Sequence, residues 1–183
     1  MEGLLVPSIG TRHELNAAEQ QNVALGGLWL STSRRRARLD EAFVLELHRQ
    51  MFGQVWAWAG KLRTTGKNLG VPIERIRPDL RDLLADVSAL RARNSVDKRA
   101  LCATFHQRLV RIHAFPNGNG RHARQMTDLF AEQLRLPTPM WGADDLARAS
   151  DTRRRYIDAL RQADRGDFGP LVDFMWADHP TAP

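Results

Sequence analysis

The sequence predicts an all-α protein: a mainly helical bundle carrying one small β-hairpin. Three observations predict it. Apolar residues recur at steps of three and four through most of the chain, as in Leu80, Leu83, Leu84, Val87 and Leu90, or Leu101, Phe105, Leu109 and Ile112. The breaks between these runs are short and carry Gly, Pro, Asn or Ser. Only residues 61–77 leave the helical pattern, where Lys61–Thr65 and Val71–Ile73 read as two extended pieces around the turn Gly66-Lys-Asn-Leu-Gly70.

Taken in order, residues 1–13 show no period and read as an arm. Asn16-Ala-Ala-Glu19 reads as a capping box opening a first helix, with Val23, Leu28 and Trp29 inward. Ser31–Arg38 is a polar, basic connector. Asp40 is placed to cap a second helix whose Phe43, Val44, Leu47, Met51 and Phe52 form one stripe, and Gly53 ends it. Trp56 and Trp58 read as core filling. Pro78 suits the first turn of a third helix, and Ser95 or Asp97 the cap of a fourth. A fifth runs to about Arg135, before Pro137-Thr-Pro139. Leu146–Ala163 reads as a further helix with Tyr156, Ile157 and Leu160 inward and Gly166 past its end. Pro170–Ala177 reads as a last short helix packing Leu171, Phe174 and Met175.

Composition narrows the function classes. At 183 residues, 43% apolar and 26% charged, the chain is long enough for a real core and ordinary for one globular unit. The single cysteine, Cys102, excludes an internal disulfide framework and suits a reducing, cytoplasmic setting. No apolar run reaches the roughly 20 residues of a membrane-spanning helix, and no signal-peptide pattern precedes Asn16. The net charge of +6 is concentrated in Arg34-Arg35-Arg36 with Arg38 and in Arg153-Arg154-Arg155. These runs read as solvated surface, and no zinc-finger spacing or RNA-binding aromatic signature makes them a nucleic-acid site.

The chemistry concentrates in His113-Ala-Phe-Pro-Asn-Gly-Asn-Gly-Arg-His-Ala-Arg124. Pro116 to Gly120 cannot continue a helix, so the chain turns between two helical runs. Amides of a Gly-rich turn and of a helix start attract anions. Arg121 and Arg124 share a face of the following helix, where cations are unfavourable for the dipole unless an anion compensates. The segment therefore reads as a polyphosphate site with one titratable base, His113. His106 shares a helical face with His113, but no carboxylate or cysteine completes a zinc site. The segment matches neither the P-loop nor the dinucleotide-binding pattern.

The same residues closely resemble the signature of the Fic (Fic/Doc) family, His-x-Phe-x-Asp/Glu-Gly-Asn-Gly-Arg-x-x-Arg. His113, Phe115, Gly118, Asn119, Gly120, Arg121 and Arg124 match it, and Asn117 alone departs. Leu47–Phe52 and Trp56–Thr64 resemble the family's lead-in, so the likeness covers about residues 40–135. Glu14-Leu15-Asn16 to Gln21-Asn22 and Pro116-Asn117-Gly118 resemble a mobile-element subgroup, the "mobile mystery protein B" proteins.

The resemblance implies a Fic-type helical bundle at 39–183, with residues 1–38 as an N-terminal arm and helix packed onto the same unit. It implies transfer of AMP from ATP to a Ser, Thr or Tyr hydroxyl of a target protein, with His113 as general base. Gly118, Asn119 and Gly120 would hold the α- and β-phosphates, with the Asn119 side chain as an added neutral donor. Arg121 would hold the β-phosphate and Arg124 the γ-phosphate. Phe115 would wedge the loop onto the core. Thr64, Thr65, Gly66, Lys67 and Asn68 would lie in a flap that docks the target segment by strand addition. Mg²⁺ is normally held by the Asp/Glu of the motif; the amide oxygen of Asn117 offers a neutral, weaker ligand.

Family control by a Ser/Thr-x-x-x-Glu-Gly/Asn helix has no complete copy here, Glu2-Gly3 matching only its tail. A small antitoxin-like partner protein, in a bacterial setting, is what the resemblance implies instead. Two other readings stay open at this level: a nucleotide-binding relative with weak or different transfer activity, because of Asn117, and a basic nucleic-acid-binding module using the arginine runs. Neither the target protein nor the preferred base is encoded in the motif.

Overall fold

A computed structural model describes residues 2–33, 38–91, 97–141, 146 and 150–176. Among these residues lie seven helices: α1 (Arg12–Ser33), α2 (Glu41–Phe52), α3 (Ile73–Arg91), α4 (Lys98–Ile112), α5 (Asn119–Gln133), α6 (Asp151–Ala163) and α7 (Gly169–Trp176). The protein is mainly helical, as the periodicity requires. The chain divides into two compact units, one of residues 1–85 and 109–125, the other of 86–108 and 126–183.

The first unit is built on α1 and α2. The cap of α1 is Thr11, not Asn16: the Thr11 hydroxyl accepts from the Glu14 amide (3.2 Å) and Glu14 returns a bond to the Thr11 amide (2.8 Å). This reciprocal pair satisfies two helix-start donors, and the helix begins five residues earlier than a cap at Asn16 would place it. Its inward face is Leu15, Glu19, Asn22 and Leu30, whereas Leu28, expected inside, is 64% exposed. Asn22 cross-links α1 to the end of α2, donating to the Gln50 carbonyl and accepting from the Gln54 amide, both at 2.9 Å.

Asp40 caps α2 through the Phe43 amide (2.8 Å) and Gly53 ends it. The α2 stripe is buried at Val44, Leu47, Met51 and Phe52, and it includes His48. The arm lies along the segment after α2. Leu4 makes an antiparallel bridge with Trp56, and Leu5 and Ala57 add amide bonds to Val55 and Gly3.

Residues 61–72 carry no strand, and the Leu4–Trp56 bridge is the only β-pairing among the described residues. Ile73, read as the end of a strand, opens α3, so the helix starts five residues before Pro78, which lies inside it. The proline ring removes one ladder bond there. Burial of Ile76 and ion pairs of Arg75 with Asp79 and Arg77 with Glu41 hold the extra turn.

In the second unit, Asp97 caps α4 through the Arg99 and Ala100 amides, while Ser95 falls outside the described residues. Phe105 of α4 packs against Phe130 of α5. Cys102 is buried, its thiol pushed up by burial and by Asp128, as befits an inert core residue. His106 is buried too, bonded to Thr127 (3.0 Å) and Tyr156 (2.9 Å). The helix read from Leu146 starts only at Asp151, capped by Ser150. Leu146 lies before it as a buried turn residue whose carbonyl accepts from Arg153. Leu171, Phe174 and Met175 of α7 are buried.

Candidate active site

Every sequence-predicted site residue belongs to the first unit. The last turn of α4 closes with the His113 amide on the Leu109 carbonyl (3.3 Å), and His113 itself takes a left-handed backbone, φ 51°. That conformation is costly for a residue with a Cβ and reverses the chain within one step. The next residues run inward: Ala114 and Phe115 are buried. The Phe115 ring stacks on His48 with centroids 3.7 Å apart, so it wedges the loop onto α2.

The His113 side chain is half-buried. Its pKa is lowered, chiefly by burial and then by the nearby positive charges of Arg63 and Lys67, against a hydrogen bond to the Val110 backbone. Both effects favour the neutral imidazole at neutral pH. A neutral imidazole keeps one ring nitrogen with a lone pair for a proton.

The bend after Phe115 is closed from inside. The Asn119 side chain accepts from the Phe115 amide (2.9 Å) and donates to the Phe115 carbonyl (2.8 Å). The buried Asn119 amide thus clamps the loop. Gly118 has φ 77°, and a Cβ there would lie 2.5 Å from the Phe52 ring. Its glycine is a packing requirement. Gly120 differs, since a Cβ would meet nothing nearer than Arg124 Nη1 at 3.9 Å. Asn119, Gly120 and Arg121 open α5, where first-turn N–H groups lack intrahelical acceptors.

Asn117 is exposed, and its side-chain oxygen accepts from the Gly118 amide at 2.8 Å. The Asn117 carbonyl faces His48 Nε2 at 3.1 Å, while His48 Nδ1 accepts from the Gly60 amide at 2.9 Å. With Nδ1 an acceptor, Nε2 must carry the hydrogen, so His48 is a neutral tautomer by geometry. Burial pushes its pKa down to about 4, consistent with that state. His122, fully enclosed nearby, bonds the Val44 carbonyl (3.0 Å) and is lowered to about 3 by burial first and His48 second.

Arg121 Nη2 pairs with Glu19 at 2.8 Å, and its guanidinium sits 4.8 Å over the Phe52 ring. Glu19 also accepts from Trp56 Nε1 at 2.8 Å. A phosphate reaching Arg121 would share it with a carboxylate already in place. Arg124 is half-buried on the same helix.

Thr64, Thr65, Gly66, Lys67 and Asn68 are all exposed, in an irregular segment next to His113. A Cβ on Gly70 would lie 2.6 Å from His113 Cβ. As for Mg²⁺, the residues present do not build a site for it. The one oxygen expected to reach it is neutral and turned onto Gly118, and no group of three or more His, Cys, Asp or Glu among the described residues is placed to hold a metal ion.

Five supporting residues escaped the sequence reading. His48 hid in an apolar stripe, where its one signal was a polar side chain between Leu47 and Met51. Glu19 and Asn22 share the inward face of α1 with Leu15, a pattern visible once the helix is known to start at Arg12. Arg63 and His122 lie within the family-like stretches Trp56–Thr64 and His113–Arg124, but nothing local gives either of them a role.

Comparison with known proteins bears on the family and the fold. The Fic/DOC family model matches residues 38–131. Protein adenylyltransferase fic-1 of Caenorhabditis briggsae is 30% identical over 190 aligned positions, which take in 98% of this chain but 35% of that protein. The chain thus spans about a third of the length of that relative. Among solved structures, Fic-1 (residues 134–508) of C. elegans superposes with a TM-score of 0.69 at 24% identity, over 94% of this chain and 50% of that one. The BepC protein of Bartonella tribocorum, solved with bound AMPPNP, superposes with a TM-score of 0.69 at 17% identity, over all of this chain and 96% of that one. With the family model spanning half the chain, the His113–Arg124 loop and α2 included, this protein belongs to the Fic/DOC family.

Proposed function

We propose that the protein is an adenylyltransferase that moves AMP from ATP to a Ser, Thr or Tyr hydroxyl of a target protein. The observation that carries this reading is the pairing of a neutral, half-buried His113 with the anion-binding start of α5. The target hydroxyl oxygen attacks the α-phosphorus, the bond from α-phosphorus to the bridging oxygen breaks, and pyrophosphate leaves. His113 takes the hydroxyl proton as the new P–O bond forms, a role worth about 10²–10⁴ in rate. First-turn amides from Asn119 to Arg121 meet the charge growing on the phosphate oxygens. In this reading Arg121 holds the β-phosphate and Arg124 the γ-phosphate, and Thr64–Asn68 face the target segment.

The names of the adenylyltransferase relatives and of the AMPPNP-bound neighbour support the activity and the nucleotide. Any Mg²⁺ would arrive on the triphosphate, since Asn117 supplies no charge of its own. Among the described residues no helix is long and apolar enough to cross a membrane, and we place the protein in the cytoplasm of a bacterium. We assign it to the "mobile mystery protein B" subgroup, with 1–38 working as arm and helix of the 39–183 domain and a small antitoxin-like protein as its inhibitor.

The test is incubation with α-labelled ATP and cell lysate. Label should enter protein and fall about 100-fold or more in His113→Ala. Label that enters equally with His113→Ala overturns the assignment. A second reading, a nucleotide-binding relative with weak or different phosphate transfer, is favoured by the Asn117 oxygen turned onto Gly118. Nucleotide binding without any label transfer would select it.

A further inference from the structure

We propose that Arg63 is a positioning residue of this site: one buried guanidinium ties the carbonyl of His113 to both ends of the 64–71 segment, so that base and exposed segment are held as one piece. The proposal rests on reading His113 as the general base, but its geometry stands apart from that reading. Arg63 is 3% exposed. Its Nε donates to the His113 carbonyl at 2.7 Å, its Nη1 to Thr65 at 3.2 Å and its Nη2 to Val71, while its own amide donates to Ala114 at 2.9 Å.

All three of these side-chain bonds go to main-chain carbonyls. A buried charge is costly unless its donors are met, so the guanidinium is strongly committed to this arrangement. Only arginine has a planar fork able to reach three acceptors in different directions; a lysine keeps the charge and loses the fork. The acceptor on His113 matters most. Its left-handed backbone persists only where the surroundings over-determine it, and the Arg63 bond fixes the peptide just after the base.

The second observation is the close fit of the segment itself. Gly70, at φ 101°, passes so near that a Cβ would lie 2.6 Å from His113 Cβ and 2.9 Å from Arg63 Nη2. Between the two anchored carbonyls, residues 66–70 are all exposed, with Leu69 at 69%. The anchored segment thus presents main chain and one large apolar side chain beside the base. The charges acting on the His113 ring are Arg63 and Lys67, with burial the larger cause of its lowered pKa and the Val110 hydrogen bond opposing.

The experiment compares the full chain with Arg63→Lys, Arg63→Gln and Gly70→Ala by three readouts: amide exchange of residues 64–71, NMR titration of the His113 ring, and transfer kinetics with ATP. Arg63→Lys should raise exchange across 64–71 and lower transfer kcat by about 10- to 100-fold. It should leave nucleotide affinity and the His113 midpoint near wild type, because the charge remains and the phosphate loop is untouched. Arg63→Gln should also move the midpoint up toward the ordinary histidine value. Gly70→Ala should reproduce the Arg63→Lys pattern by pushing the segment off His113, which keeps the test decisive if Arg63→Gln does not fold. Wild-type exchange in 64–71 together with wild-type kcat in Arg63→Lys would overturn the proposal. Absence of transfer in the wild-type protein would sink the base assignment instead, while exchange and titration still decide what Arg63 holds.

Discussion

His48 and Asn117 are 69 residues apart in sequence, yet the ring Nε2 of the first sits 3.1 Å from the carbonyl oxygen of the second. The other ring nitrogen accepts from Gly60. One imidazole thus supports the 113–120 loop and fastens the segment after α2. His48→Phe would preserve an aromatic face for Phe115 and strand both partners. We expect a loss of about 2 kcal/mol or more in urea unfolding, since each buried orphan costs about 1–3 kcal/mol. Nucleotide affinity, measured by calorimetry, should fall roughly tenfold as the loop loses its support. Unchanged affinity in a folded variant would mean that the loop holds its shape unaided.

Acid should weaken the fold through the same ring. In the unfolded chain a histidine titrates near 6.5, whereas His48 is held down to about 4 and His122 to about 3. Between those values the unfolded chain takes up protons that the native one refuses. The neutral-ring contribution is therefore complete above about pH 6.5 and lost as pH falls toward the folded values, at about 1.4 kcal/mol per pH unit for each ring. Urea midpoints should drop steeply between about pH 6.5 and pH 5. His48→Gln should flatten that slope; a slope equal to wild type would show that the rings do not carry it.

The two loop glycines should separate folding from binding. Gly118→Ala puts a Cβ 2.5 Å from Phe52 at a left-handed φ, so it should destabilise by about 1–3 kcal/mol. Gly120→Ala lies in a helix with room for the methyl and should leave thermal stability unchanged or raise it by up to about 1 kcal/mol. It should nevertheless weaken nucleotide binding, because the methyl occupies the approach to the α5 amides. Equal effects of the two on melting temperature would refute this division.

A charge at position 117 should change how the protein uses a divalent cation. Asn117→Asp adds a hard anionic ligand where the present oxygen is neutral and engaged with Gly118. The Mg²⁺ concentration giving half-maximal transfer should fall several-fold, read from a Mg²⁺ titration at fixed ATP. No shift in that midpoint would remove position 117 from any metal role.

Much of this protein was determined by local sequence alone. The three-and-four spacing of apolar residues sets α2, α4 and α5, and the Asp40 and Gly53 ends of α2 were readable because capping chemistry acts over three or four residues. The same holds for the loop, where Pro116 to Gly120 cannot extend a helix and Arg121 and Arg124 follow at one turn's spacing. Tertiary structure decided what local pattern leaves degenerate. Ile73 belongs to a helix rather than a strand because burial of Ile76 and the ion pair of Arg77 with the distant Glu41 outweigh a proline in the way. Which side chains serve the site was decided there as well: Asn119 turns inward onto Phe115, Glu19 engages Arg121 from 102 residues away, and Arg63 gathers carbonyls from three places. Hydrogen bonds and ion pairs across such separations depend on where whole helices come to rest, and no short stretch of sequence encodes that.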